Sequence, residues 1–421
     1  MRVLVTGAKG FIGRAAVDAL RDRGHDVIEL AHRARPHTDH ALDIAQASIA
    51  EWRALLAGVD AVVNCAGIFA DEAASTLQAI NVDGAARLFQ ACAEAGVRRV
   101  IQLSAIGAEE GLSPFARSKR AAEHALKALD LDWVILRPSI VWGADANGGS
   151  ALLRGLAGLP ILPLNKEIGD LQVVQLDDVA RTIALLAEPG APSRVELDLV
   201  GPERVSFYET VQQIRTWLGW RRAPHMLLPS WIMVIGFWLG DLAGALGWRT
   251  PIRSGAAREL KRGGVGDGSS WRAATGIEPL AFSEALRRRR PTAQDRTFAA
   301  LYFMQPLIIV ITGLFLIGTG VTSVWWGYDI GVSLLQLGGL GALSGPSVIA
   351  GGVADAIAGL MILYRPTARW GLYLGIALSL FYGVAGTLLL PGLWRDPIGP
   401  MLKIPPIVVL SLVALAMVRK R

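Results

Sequence analysis

The sequence predicts an α/β fold, a doubly wound parallel sheet with a small second lobe, followed by an all-α transmembrane domain of four helices. Three observations predict it. The apolar run Val3-Leu4-Val5 leads into the glycine-rich turn Thr6-Gly7-Ala8-Lys9-Gly10-Phe11-Ile12-Gly13 and then an alanine-rich helical stretch to residue 23. Short β-branched runs then alternate with helical stretches as far as Ser104, which argues for parallel strands joined by right-handed crossovers. Finally, most charge lies before Arg296, and the last quarter is glycine-rich and nearly charge-free in a chain with 13 tryptophans and positive mean hydropathy.

A chain of 421 residues exceeds one typical domain. The pattern divides it into a nucleotide-binding core (1–145), a substrate lobe partly interleaved with that core (146–290) and a membrane domain (297–421). The formal net charge of +6 does not point to nucleic acid, because the arginines cluster beside apolar segments and read as orientation toward an anionic leaflet. Cys65 and Cys92 lack metal-ligand spacing, so no metal and a reduced compartment are expected. The first residues already read as a strand, so no leader is expected.

In the opening turn, Gly7 permits the tight bend, Gly10 lets the backbone approach phosphate, and Gly13 lets the helix pack on its strand. The helix N-terminus then faces a dinucleotide pyrophosphate. A second strand spans residues 26–31. NAD sites usually place an acid at its end to hold the ribose hydroxyls, but here Ala31 is followed by His32, Arg33 and Arg35. Guanidiniums without a carboxylate favour a 2′-phosphate, hence NADP(H) over NAD(H). Asp43-Ile44, a helix over 48–57, the strand 61–64 running into Cys65-Ala66-Gly67, a helix over 77–95 carrying Asn81 and stopped by Gly96, and the strand 99–103 ending at Ser104 complete the alternation.

These residues, with Arg137-Pro138-Ser139-Ile140-Val141-Trp142-Gly143 and Val174-Gln175-Leu176-Asp177-Asp178-Val179-Ala180, resemble the extended and atypical short-chain dehydrogenase/reductases. The likeness is to the branch that includes the nucleotide-binding accessory subunit of respiratory complex I. It covers roughly residues 1–290. The resemblance implies a Rossmann-type sheet and a cofactor lined by Gly7, Gly10, Phe11, Ile12, Gly13, His32, Arg33, Asp43, Ile44, Ala66, Gly67, Asn81, Ser104, Lys119 and Pro138.

Active members of that superfamily use a Tyr proton donor, a Lys four residues on and a Ser about a dozen before. This chain keeps Ser104 and Lys119, but the intermediate position is Phe115, which has no proton to give. Two readings stay open: no carbonyl chemistry occurs and bound nucleotide is structural or a sensor, or Lys119, Ser104 or Ser118 protonates the substrate. Hydride can also pass to a flavin or quinone without a Tyr acid.

In the substrate lobe a strand over 171–175 precedes Asp177-Asp178, where Asp178 reads as a helix-capping carboxylate, with a catalytic carboxylate as the alternative. Ser206 and Glu209 form a capping-box pattern. Gly263-Gly264-Val265-Gly266-Asp267-Gly268 reads as a flexible break. Residues 227–246 are apolar over too short a distance to span, so they form either an interfacial helix with Trp231, Trp238 and Trp248 at headgroup depth or a buried roof over the substrate pocket.

After Arg287–Arg290 and Pro291, spans are expected over 297–328, 346–364, 370–390 and 400–418. Basic residues fall at 287–290, at Arg365 and Arg369, and at 419–421. This places the nucleotide domain and the C-terminus on the cytoplasmic side of a multi-pass inner-membrane protein. Gly351-Gly352, Gly359 and Gly375 would let helices approach. Asp355, near the centre of the second span, is a candidate functional carboxyl, with a neutral hydrogen-bonded carboxyl as the alternative. The block resembles the DoxX-like membrane domains in span count, glycine content and placement, and some of these are associated with quinone-linked oxidation.

The sequence thus points to a membrane-anchored NAD(P)H-binding protein that passes reducing equivalents to a lipid-soluble or membrane-bound acceptor, a quinone or a lipid-linked substrate. The alternatives are an inactive NADP(H) sensor or assembly factor, and a sugar-nucleotide or lipid epimerase-like enzyme.

Overall fold

The computed structural model describes residues 1–32, 39–71, 76–248, 250–397 and 399–418; Arg33, Arg35 and the basic residues 419–421 lie outside the described residues. Two compact units emerge, Met1–Leu242 with Thr250–Ala299, and Ala243–Arg249 with Ala300–Arg421.

The first unit runs β1 (Arg2–Thr6), α1 (Phe11–Asp22), β2 (Asp26–Ala31), β3 (His40–Ala41), α2 (Ile49–Leu55), β4 (Ala61–Asn64), a π-helical turn (Gln78–Gly84), α3 (Ala85–Ala95), β5 (Arg99–Leu103), α4 (Pro114–Lys127) and β6 (Asp132–Pro138). It continues through β7 (Val141–Trp142), α5 (Gly148–Ala157), β8 (Leu162–Leu164), β9 (Val174–Gln175), α6 (Leu176–Leu186), β10 (Val195–Leu199), α7 (Phe207–Trp217) and β11 (His225–Leu227). Five helices follow: α8 (Ser230–Ala245), α9 (Ser254–Arg262), α10 (Ser269–Thr275), α11 (Phe282–Arg288) and α12 (Ala293–Leu301).

Seven strands pair in the order β10-β6-β5-β4-β1-β2-β3, all parallel. The runs Val3-Leu4-Val5 and Ala61-Val62-Val63 are apolar at every position because helices cover both faces. Val3, Val5 and Val63 pack with Leu20 and Ile183 on one side, while Leu4 and Val62 pack with Trp52, Leu88 and Phe89 on the other. Gly96, at φ +76°, ends α3 in the left-handed conformation expected of a C-terminal glycine.

A smaller lobe forms around Trp142, Leu153, Phe207 and Phe282. Several local expectations are corrected here. The strand expected over 171–175 shortens to Val174–Gln175 with an isolated bridge at Leu171. Ser206 Oγ accepts the Glu209 N–H at 3.2 Å, but the Glu209 carboxylate pairs with Arg222 rather than returning to the cap. Asp178 does not cap its own helix; its carboxylate accepts the Leu280 N–H at 2.9 Å, tying a distant loop to α6. The glycine run is pinned rather than loose. Gly264 N–H donates to Asp170 O at 2.8 Å, Gly264 O accepts Ser139 Oγ at 2.8 Å, and a Cβ on Gly263 would meet Asp170 O at 2.3 Å.

The second unit contains α13 (Met304–Trp325), α14 (Tyr328–Leu337), α15 (Ser344–Leu363), α16 (Ala368–Leu389) and α17 (Ile404–Val418). Among the described residues, four stretches are long and apolar enough to cross a membrane: Met304–Trp325, Gly341–Leu363, Ala368–Leu389 and Met401–Val418. The short helix α14 between the first two was not expected. Many large apolar side chains face outward, among them Leu314, Leu360, Phe381 and Val409, as a lipid solvent requires.

Glycines set the contact between α13 and α15. A Cβ on Gly320 would meet Gly352 O at 2.3 Å, and one on Gly359 would meet Gly313 O at 2.5 Å. Because these neighbours are backbone, Gly359→Val should destabilise the bundle by about 1–3 kcal/mol, the usual range for overpacking. Thermal denaturation in detergent checks it: the variant should melt earlier than Gly318→Ala, whose site is open. Equal melting of the two would refute tight α13–α15 packing.

Candidate dinucleotide site and its catalytic position

The candidate site lies at the carboxyl ends of β1, β4 and β5, at the switch point where the chain runs from β1 outward through β2 and β3 and then crosses back to β4 on the other side of β1. Gly7 sits at φ +64°, and Gly10 N–H closes the turn on Gly7 O at 2.8 Å. The turn is crowded: a Cβ on Gly13 would lie 2.2 Å from Gly7 O, and one on Gly7 would lie 2.9 Å from Ala66 N. Phe11 and Ile12 open α1, whose N-cap, Gly10, makes no side-chain cap, leaving the first N–H groups free for an anion.

Of the residues expected to line the cofactor, Gly7 abuts Ala66, and Gly67 lies against Lys119 and Asn81, while Arg33 lies outside the described residues. His32 Nδ1 lies 3.5 Å from Asp43 Oδ1, and the same oxygen accepts the Ala45 N–H at 3.0 Å. Ile44 is buried under Gly84. Pro138 ends β6, and its carbonyl accepts the Ile106 N–H at 3.1 Å. Asn81 lies in the π-helical turn, a distortion common at functional positions. Its amide donates to Ile68 O at 2.9 Å and to Ser118 Oγ at 3.0 Å, and its Oδ1 accepts the Ile68 N–H at 3.0 Å. Asn81 thereby clamps the loop after β4 to α4.

The sequence reading passed over Glu29. It is buried on β2, 2.5 Å from Lys9 Nζ and 2.9 Å from Arg21. Its carboxylate is committed to two cations, one of them from the glycine turn.

At the catalytic position, Lys119 is buried and its Nζ donates to Leu103 O at 2.9 Å. Desolvation lowers the Lys119 pKa to about 8 against the opposing pull of Cys65 and Glu123. Desolvation also pushes the Cys65 thiol up to about 12. Gly67 lies beside this ammonium: a Cβ there would stand 2.9 Å from Nζ and 3.2 Å from Asn81 Oδ1. Ser104 is buried and its Oγ has no partner among the described residues. The Ser118 hydroxyl donates to Phe115 O at 2.7 Å, within its own helix. Phe115 packs on Phe69 with centroids 4.8 Å apart, and Lys119 Nζ lies 5.9 Å from its ring centroid. The orphaned Ser104 hydroxyl and a glycine cradle that any Cβ would fill both fit a nicotinamide dinucleotide.

Asp355 belongs to the second unit. It is buried, takes the Tyr382 hydroxyl on Oδ1 at 3.2 Å and lies 3.5 Å from Thr319 Oγ1, tying α15 to α16 and α13.

Comparison with known proteins agrees with this geometry. Residues 3–194 match the NAD dependent epimerase/dehydratase family, and residues 313–412 match the DoxX-like family. A ceramide reductase of Caulobacter vibrioides is 26% identical over 264 residues, covering 61% of this chain and 83% of its own length. A dTDP-4-dehydrorhamnose reductase of Mycolicibacterium smegmatis is 29% identical over 175 residues, covering 37% of this chain and 51% of its own. Among solved structures, UDP-N-acetylglucosamine 4-epimerase of Bacillus cereus superposes with a TM-score of 0.52 at 16% identity, covering 72% of this chain and 96% of that one. The Thermus thermophilus UDP-glucose 4-epimerase in complex with NAD gives 0.51 at 22%, covering 68% and 97%. The chain therefore carries an epimerase/dehydratase-type NAD-binding domain in its N-terminal part and a DoxX-like domain in its C-terminal part.

Proposed function

We propose that the protein is a membrane-anchored NAD(P)H-dependent oxidoreductase that reduces a lipid-soluble acceptor, with Lys119 supplying the proton that the missing phenol would give. The observation that carries this reading is the buried Lys119 ammonium on the carbonyl of Leu103, at the carboxyl end of β5, with the next residue, Ser104, holding a buried hydroxyl that has no partner among the described residues. Bound nicotinamide supplies hydride. Ser104 Oγ orients the acceptor oxygen, and Lys119 Nζ holds a proton near the pH at which it is needed. The ceramide reductase relative and the apolar second unit support a lipid-like substrate.

NADP(H) is the preferred cofactor. Ala31 ends β2 where an acid would hold ribose, Arg33 follows in sequence, and Glu29 is engaged by Lys9 and Arg21. The distribution of arginines puts the nucleotide domain and the C-terminus on the cytoplasmic side of the inner membrane.

The test is NADPH oxidation by the full chain in proteoliposomes, offered long-chain ketones and quinone analogues. Turnover is expected, faster with NADPH than with NADH, and Phe115→Tyr should raise the rate on ketones by returning a phenol to the pocket. Phe115 itself favours a second reading, a nucleotide sensor or assembly factor. Tight nucleotide binding without turnover on any acceptor, in wild type and Phe115→Tyr alike, would establish that reading instead.

A further inference from the structure

We propose that α8 lies along a lipid leaflet at the boundary between headgroups and acyl chains, with Trp231, Val234, Ile235, Trp238, Leu239 and Leu242 in contact with lipid. The proposal rests on the membrane reading above. These six residues recur at the three- and four-residue spacing of one helix face, and all are 46–64% exposed. The opposite face is apolar as well, but it is already used. Phe237 is buried, and Gly240 packs so closely that a Cβ would stand 1.5 Å from Ile252 O. Asp241, the one charged residue of the helix, accepts the Ser254 N–H at 3.2 Å. A helix that is apolar all round belongs in an apolar medium on every side, and here protein supplies only one of them.

The occupant of the other side follows from where the helix ends. Residues Ala243–Arg249 group with the unit that contains the spans. Just beyond α8, Leu246 O accepts the Arg365 N–H at 2.9 Å, and Trp248 Nε1 donates to Leu363 O at 2.7 Å. The Arg365 guanidinium lies 5.3 Å from the Trp248 ring centroid. Leu363 is the last residue of α15, so the end of α8 is held level with the end of a span, where tryptophan and arginine favour the headgroup region. With 16 residues α8 reaches only about 24 Å, too short to cross the hydrocarbon core. A helix that ends at headgroup depth, cannot span and has an uncovered tryptophan-bearing stripe fits the leaflet surface.

The experiment is site-directed spin labelling of the full chain in phosphatidylethanolamine/phosphatidylglycerol vesicles. Labels go at Val234→Cys, Trp238→Cys and Leu242→Cys, with the exposed Asp22→Cys at the end of α1 as an aqueous reference and Leu380→Cys on α16 as a lipid reference. Desolvation raises both native thiols, Cys65 and Cys92, to about 12, so they label poorly near neutral pH, and unmutated protein gives the background. Relative to Asp22, the α8 labels should collide several-fold more with oxygen than with an aqueous nickel chelate, approaching the Leu380 ratio. An α8 ratio like that of Asp22 while Leu380 reports lipid would overturn the proposal and leave the membrane reading intact. A water-like Leu380 would overturn the membrane reading itself. Spin–spin broadening between copies at the α8 labels, without oxygen enhancement, would assign the stripe to a second copy of the chain and likewise overturn the proposal.

Discussion

Replacing Gly13 with alanine is expected to abolish dinucleotide binding. The added Cβ would stand 2.2 Å from Gly7 O, 2.9 Å from Gly7 C and 3.1 Å from Ala8 Cα. All three atoms are backbone, and the turn that holds them is fixed by Gly7 at φ +64° and by the Gly10 N–H to Gly7 O bond. No side chain can move aside, so the turn must lift off α1. The strain is about 1–3 kcal/mol, and the larger effect falls on function. The free N–H groups at the start of α1 bind phosphate only if the turn before them keeps its shape. Calorimetry and thermal shift with NADPH should show binding in wild type and none in Gly13→Ala, with the helical circular dichroism retained. Gly96→Ala is the matched control: its site is open, its φ of +76° costs a left-handed alanine about 1 kcal/mol, and it should still bind. Undiminished NADPH affinity in Gly13→Ala would remove the turn from the site.

That turn was legible because its signal is local. Strand, three spaced glycines and helix lie within 22 residues of one another and need no tertiary information. The strands over 26–31, 61–64 and 99–103 were readable for the same reason, as was the stop at Gly96. The four apolar spans were readable because lipid imposes length and composition on each span separately. Lys119 and Ser104 were singled out through a family resemblance; nothing in their own spacing marks a lysine that points at Leu103 O.

Other features were invisible for identifiable reasons. Glu29 is a mid-strand acid, and only the fold brings Lys9 and Arg21 to it. An acid in the first turn of a helix looks the same whether it caps that helix or, like Asp178, reaches a backbone N–H a hundred positions away. Gly263 and Gly264 read as slack from composition, yet Gly263 crosses residues 169–170 at backbone distance and a Cβ on Gly264 would stand 2.6 Å from Ser139 Oγ. Periodicity could not resolve α8, since every face is apolar. The structure resolved one alternative, for the exposed stripe excludes a wholly buried roof.

The second large effect is expected at Lys119. Lys119→Met removes the nitrogen from a site that keeps only poor substitutes: Phe115 has no proton, the Ser118 hydroxyl donates to Phe115 O, and the Ser104 hydroxyl is a far weaker acid than an ammonium. Reduction should fall by about 10²–10⁴-fold in kcat/KM, the range for losing a positioned acid. The pH profile separates catalysis from simple ribose binding. Desolvation brings the Lys119 pKa down from 10.5 to about 8, so below pH 8 Nζ carries its proton and above it the proton is lost. The wild-type reduction rate should therefore decline about tenfold per unit above pH 8. The residual activity of Lys119→Met should lack that limb. If Lys119 only grips ribose, the variant should instead bind nucleotide more weakly while the limb in kcat persists. Stability should move the other way. The folded-state value lies below the unfolded one, so the native state carries the full desolvation cost below pH 8 and sheds it as pH rises from 8 toward 10.5. Lys119→Met should therefore fold at least as stably as wild type at pH 7, which makes its lost activity a loss of chemistry rather than of structure.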